Sequence, residues 1–210
     1  MREPGIPIDA KRALRRVLVA ITGASGAIYG LRLLQALHDL PGIETHLVVS
    51  DAGWLTLSHE LDTGPDTLKP LVHTLHDARD IGAAPASGSF RCSCMVIAPC
   101  SMRTLAAIAH GLSDDLLTRA ADVMLKERRR LVLMARETPL NLAHLRNMVS
   151  VTEMGAIVCP PVPAFYLRPQ TIDDVVDASV ARALDLLEVP HTLSSRWAGL
   201  NAMPETAQAP

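Results

Sequence analysis

The stretch from Arg15 to Leu40, RRVLVAITGASGAIYGLRLLQALHDL, constrains the chain more than any other. Two basic residues lead into an apolar run, Val17 to Ile21. A small-residue turn follows, Thr22-Gly23-Ala24-Ser25-Gly26-Ala27. Apolar residues then recur at Ile28, Leu31, Leu33, Leu34 and Leu37. The pattern changes from a buried strand to an amphipathic helix across that turn. A strand feeding a glycine-serine turn at a helix start presents free N–H groups and the positive end of the helix dipole to one point. The turn is therefore expected to hold the phosphate of a nucleotide-like molecule. The plainer alternative is a glycine turn kept only for close strand–helix packing.

The same alternation continues. Strands are expected over 44–49, 95–98, 131–135 and 156–159, and helices over 52–61, 102–110, 114–130, 140–151 and 171–187. Ser50, Asp51, Ser101, Asp115 and Thr171 stand where helix caps belong. Residues 62–91 are weakly periodic and contain Pro65, Pro70, Gly82, Pro85 and Gly88. So long a connection is expected to hold short elements and a functional loop, ending in Ala86-Ser87-Gly88-Ser89. The fold class implied is α/β: a flavodoxin-like or Rossmann-type parallel sheet with helices on both faces, in three αβα layers. Residues 1–14 read as an N-terminal arm, 15–190 as a single domain and 191–210 as a C-terminal tail. Ligands of such sheets bind outside the carboxyl ends of the strands. That singles out the loops at 22–27, 50–51, 99–104, 136–139 and 160–168.

Composition narrows the function classes. Apolar residues make up 49% of the 210 and charged residues 20%, which excludes a disordered chain. A net charge of −2 gives no basis for nucleic-acid or anionic-membrane partners, and 3% aromatics argues against base-stacking surfaces. No apolar run approaches the roughly 18 residues of a membrane span, and the first sixteen residues lack the apolar core of a signal peptide. Cys92, Cys94, Cys100 and Cys159 are expected to be reduced. A cytoplasmic protein is the expectation.

Several residues have the chemistry of a site. The first turn departs from GxGxxG, and Ser50 stands where a dinucleotide site would place a ribose-binding carboxylate; a mononucleotide fits better. Ser101 is suited to cap the next helix and to donate to a phosphate, with Thr104 one turn on. Cys100 lies near that helix start, where a thiol pKa can fall, but no histidine partners it in sequence, so it is not read as a nucleophile. Arg119 and Lys126 are seven apart on one helix face and together suit a second phosphate. Arg128, Arg129 and Arg130 read as solvated charges at the helix end. Glu60 and Glu137, near strand ends, are candidate proton carriers. Tyr166 lies in a proline-rich loop and Arg182 in mid-helix. The eight histidines form no cluster with metal-ligand spacing beyond His73 and His76, and no metal is expected.

The segments TGASGAIYG, PCSMRTLAAIAHG, LLTRAADVMLKERRRLVLMARETPL and PPVPAFYLRPQTIDDVVD, in this order, resemble the UbiX-type flavin prenyltransferases. The resemblance runs from about Val17 to Trp197. It implies a homododecamer that joins the dimethylallyl group of dimethylallyl phosphate to N5 and C6 of reduced FMN, without a metal. The product, prenylated FMN, serves a UbiD-type decarboxylase. It further implies cofactor contacts at Gly23, Ala24, Ser25, Ser50, Ser101, Met102, Arg103, Thr104 and Arg136. Ser87, Lys126, Tyr166, Arg182 and Trp197 match residues around the prenyl substrate. Glu60, Glu137, Lys126 and Arg119 match active-site groups, the last two supplied across a subunit interface. One departure stands out: Ile81-Gly82-Ala83-Ala84 replaces a segment that carries tryptophan in some members, and the choice between monophosphate and diphosphate stays open. Two other readings also remain at this stage. One is an FMN-dependent decarboxylase, although His38 lies at the helix end, away from where a base is expected. The other is a non-catalytic FMN-binding or delivery protein, for which a second phosphate site has no use.

Overall fold

The computed structural model describes residues 14–194. Six parallel strands form one sheet in the order β3-β2-β1-β4-β5-β6. They are β1 (Arg15–Ile21), β2 (Ile43–Val49), β3 (Thr74–His76), β4 (Cys92–Cys100), β5 (Arg130–Ala135) and β6 (Ile157–Val158). Between them run α1 (Ala27–His38), α2 (Asp51–Leu61), the short α3 (Pro65–Leu68), α4 (Met102–Ala109), α5 (Leu116–Lys126) and α6 (Leu142–Glu153), and α7 (Ile172–Leu186) closes the fold.

Strands buried on both faces need apolar residues at successive positions, and β1 from Val17 to Ile21 and β4 from Cys94 to Ala98 have them. Val17, Val19 and Ile21 point into one core with Leu33, Leu34 and Leu37 of α1 and Val180 and Leu184 of α7. Leu18 and Ala20 point into the opposite core with Leu105 of α4, Leu117 and Ala121 of α5 and Val151 of α6. The sheet is thus the middle of three layers, as the alternating pattern implied.

Two expectations change. The strand β3 at the sheet edge lay unseen in the weakly periodic segment, because three residues are too few to show a period. It adds a sixth strand, at the edge beside β2, to the five expected. The arginines after α5 are not merely solvated. Arg129 donates to the carbonyls of Phe90 (2.9 Å) and Gly88 (2.7 Å), tying down the loop before β4. Arg130 opens β5 and binds the Leu186 carbonyl (2.9 Å) and the Glu188 carboxylate beyond α7. The order of strands reverses between β1 and β4, so a crevice opens at their carboxyl ends.

Candidate functional site

Three loops are stitched together at that crevice. The Thr22 hydroxyl donates to the Pro99 carbonyl (2.7 Å) and accepts from the Ser101 N–H (2.8 Å). The Ser50 N–H donates to the Ile21 carbonyl (3.0 Å). Ser50 caps α2 by accepting from the Gly53 N–H (3.0 Å), and Ser101 caps α4 by accepting from the Thr104 N–H (3.3 Å). Two helix starts therefore converge on one cavity of about 480 Å³. Gly23, Ser50, Ser101, Arg103 and Thr104 line it, together with Asp51 and Asp115. Both carboxylates already hold cations: Asp51 pairs with Arg79 (2.8 Å) and Asp115 with Arg103 (3.6 Å). The space is suited to an anion, since hydroxyls and helix dipoles face it while the acids are neutralised by partners. Gly23 keeps it open, because a Cβ there would come within 2.4 Å of the Ala52 Cβ.

The amides at the start of α1 are engaged differently from the first expectation. Gly26 adopts φ 101° and its N–H, with that of Ala27, donates to the Glu60 carboxylate (2.9 Å each). Glu60 sits in the last turn of α2, not at a strand end. Burial raises its pKa, but hydrogen bonds from Ser25, Ala27 and Gly26 and the Arg136 charge outweigh that and hold it below the usual carboxylate value. The chain thus supplies its own anion to the α1 amides, and the open cradle lies one loop over, between Ser50 and Ser101. The Ser25 hydroxyl and the Arg136 charge both act on this Glu60 carboxylate.

A second cavity, of about 530 Å³, lies where the loop after β6 meets α7. Tyr166, on a single turn of 3-10 helix, and Arg182, on α7, both line it with Cys159, Ser179, Asp185 and His191. Burial pushes the Cys159 thiol up and the Arg182 charge offsets part of that. Arg119 and Lys126 do not line this cavity. Arg119 donates to the Ala86 carbonyl (3.2 Å) and pairs with Asp122 (2.7 Å); Lys126 pairs with Glu127 (2.6 Å). Both stand beside the loop of Ser87, whose hydroxyl meets that of Ser89 at 2.9 Å. Glu137 is exposed and accepts from the Thr138 N–H (2.9 Å), and it lines neither cavity. Ala24 is buried in the first turn, and Met102 packs against the α4–α5 core instead of lining the cradle. Cys100 is fully buried, which pushes its pKa up to about 12 and removes any activation by the helix start. Trp197 lies outside the described residues.

Thr22 was named only as part of the first turn; its hydroxyl's tie to the Pro99–Ser101 loop escaped the sequence reading, because no local pattern links residues 77 and 79 positions apart.

Residues 8–184 match the flavoprotein family. The chain is 55% identical over 188 residues to the flavin prenyltransferase UbiX of Escherichia coli K12, covering 89% of this chain and all of that protein. The chain belongs to the UbiX-type flavin prenyltransferases. Among solved structures, a UbiX protein (PadA1) in complex with FMN and dimethylallyl pyrophosphate superimposes with a TM-score of 0.86. It is 51% identical, over 88% of this chain and 98% of that one. A dodecameric FMN-dependent UbiX-like decarboxylase from Escherichia coli O157:H7 gives 0.85 at 46% identity, over 88% of this chain and the whole of that one. This UbiX-type chain therefore has the fold that the alternating pattern implied. In it, Gly23 lines one cavity and Tyr166 and Arg182 line the other.

Proposed function

We propose that this chain joins the dimethylallyl group of dimethylallyl phosphate to N5 and then C6 of reduced FMN. The product, prenylated FMN, goes to a UbiD-type decarboxylase. The observation that carries the reading is the presence of two separate polar cavities. One, walled by Ser50, Ser101 and Thr104, suits the FMN phosphate. The other, walled by Tyr166 and Arg182, suits the phosphate of the prenyl donor. Gly23, Ala24, Ser25, Met102, Arg103 and Arg136 are assigned to the FMN side.

The chemistry asks little covalent work of the protein. The donor's C–O bond breaks, its electron pair leaves on phosphate, and a bond forms between carbon and N5. The N5 proton leaves as that bond forms. Closure then adds a proton to the prenyl double bond while C6 bonds to it and gives up its own proton, with no net release. Cations around the leaving phosphate stabilise the charge that develops there. Arg182 and Tyr166 are assigned that role, completed by Arg119 and Lys126 from another subunit. Glu60 and Glu137 are assigned to proton handling, and Ser87 and Trp197 to the prenyl end. Holding donor and flavin together turns a two-body encounter into a positioned one.

A dodecamer of single-domain subunits is part of the proposal. Leu142, Leu145 and Val149 stand exposed at 59%, 46% and 58% along α6, an apolar stripe suited to burial against another copy. Among the described residues no helix is long and apolar enough to cross a membrane, which agrees with a cytoplasmic location. The test is anaerobic incubation with reduced FMN and dimethylallyl phosphate, followed by mass spectrometry of the flavin. A five-carbon adduct is expected. Competent FMN binding without an adduct would instead make the chain an FMN carrier.

A further inference from the structure

Lys126 ends α5, and the four residues around it are arranged more closely than an exposed helix end requires. The helix stops in a Schellman turn: Arg128 takes φ 56°, its N–H returns to the Leu125 carbonyl (3.1 Å), and the Arg129 N–H returns to the Met124 carbonyl (2.8 Å). Arg129 thereby reaches the loop before β4, where its guanidinium donates to the carbonyls of Gly88 (2.7 Å) and Phe90 (2.9 Å). The same guanidinium stands 3.9 Å from one oxygen of Glu127, whose other oxygen accepts from the Lys126 ammonium (2.6 Å). Gly88 lies against that pair: a Cβ on it would come within 2.2 Å of the Glu127 Oε1 and 3.0 Å of the Lys126 Nζ. Its φ is not positive, so what this glycine supplies is room. Ser87, just before it, is held in turn. Its carbonyl accepts from the Phe90 N–H (3.1 Å) and its hydroxyl from the Ser89 N–H (3.3 Å).

We infer that Glu127 is a positioning residue for Lys126, and that Arg129 and Gly88 hold the two of them against the loop of Ser87. The inference rests on the proposed prenyltransferase reading, which assigns Lys126 and Ser87 to the donor. A lysine carries its charge on a flexible four-carbon stem, and ordering that stem costs entropy when it grips a phosphate. Glu127 orders it beforehand, so less is lost when the donor arrives. The hydrogen bond and charge of Lys126 hold the Glu127 carboxyl below the usual carboxylate range, so the partner is ionised at neutral pH. Arg129 is suited to its place because its planar fork serves two carbonyls at once, which a lysine does not. None of the three has to touch the donor. Each acts through where Lys126 and Ser87 stand.

The test compares Glu127→Gln, Gly88→Ala, Arg129→Lys, Lys126→Ala and the Lys126→Ala/Glu127→Gln double variant in the full-length protein loaded with reduced FMN. The five-carbon flavin adduct gives kcat/KM for dimethylallyl phosphate, and flavin fluorescence gives FMN affinity. Glu127→Gln keeps the shape of an exposed side chain and should lower kcat/KM about fivefold, the upper scale of a part-exposed ion pair. Gly88→Ala and Arg129→Lys should lower it at least as far, the first because its Cβ takes the carboxylate's place. FMN affinity should stay within about twofold in all of them. With Lys126 already replaced by alanine, Glu127→Gln should cost nothing more, whereas a general structural role would cost the same again. Unchanged or raised kcat/KM in Glu127→Gln, additive loss in the double variant, or a parallel loss of FMN would each overturn the inference. Wild-type protein run alongside separates the two claims. No adduct from wild type would overturn the prenyltransferase reading and this role with it; normal wild-type turnover with an unaltered Glu127→Gln would overturn the role alone.

Discussion

The two cavities are built by opposite means. The Ser50–Ser101 cavity is made of backbone and short side chains: two helix caps, a glycine held clear of Ala52, and the Thr22 hydroxyl joining neighbouring loops. Its parts follow directly on three adjacent parallel strands, β1, β2 and β4, so the sheet itself sets their spacing. The Tyr166–Arg182 cavity depends on long side chains from a loop and a helix, and the other two cations sit elsewhere, on α5. Short groups on a rigid frame lose little entropy on binding; long ones lose more and must be ordered by the ligand or by a neighbour. The first cavity is thus preorganised within the chain. The second is incomplete in a single chain if Arg119 and Lys126 belong to it.

The sharpest way to break this comparison is subunit complementation. Lys126→Ala and Arg182→Ala should each lower kcat/KM for dimethylallyl phosphate about a hundredfold, the scale of removing one charge-stabilising group. Assemblies formed from a mixture of the two chains should regain activity, because some junctions pair an intact Lys126 with an intact Arg182. Mixtures as inactive as either parent would place both groups in one subunit's site.

A smaller effect is expected at Gly23. Gly23→Ala forces a Cβ onto Ala52 and pushes the first turn of α2 into the cradle. Overpacking of this kind costs roughly 1–3 kcal/mol, so FMN affinity should fall about tenfold or more while donor affinity holds. Equal loss of both ligands, measured by titration, would show that the cavities are not separable.

The smallest effect belongs to a third region that serves neither ligand. Near the amino ends of β1 and β2, Arg16 pairs with Glu44 (3.1 Å), Glu44 with His46 (2.9 Å), and His46 with His76 (2.9 Å). Burial, with the neighbouring histidine charges, lowers the pKa of His46 and His76, and for His46 this exceeds the pull of Glu44. Below about pH 6.5 the unfolded chain takes up these protons before the folded one, so stability contributed by the neutral pair is lost as pH falls. The melting temperature should drop between pH 7 and 5.5, and less steeply in His76→Gln. An unchanged slope would remove the pair from the account of acid stability.

The preorganised cavity was also the legible one. Ser50 and Ser101 announced themselves as caps beside apolar runs, and both do cap helices. What escaped was long-range. Glu60 docks on an amide 34 positions earlier, and Arg129 ties down a loop 41 positions earlier; local periodicity carries neither distance. That Tyr166 and Arg182 line one cavity likewise depends on how a loop meets α7, which no motif spacing encodes.

The central claim is that two independent anion sites meet in one crevice. Calorimetric titration of dimethylallyl phosphate into FMN-loaded protein tests it most directly, with wild type and Arg182→Ala compared. Wild type should bind one equivalent per chain, and Arg182→Ala should lose that binding while retaining its FMN. Loss of FMN together with the donor in Arg182→Ala would contradict two independent sites.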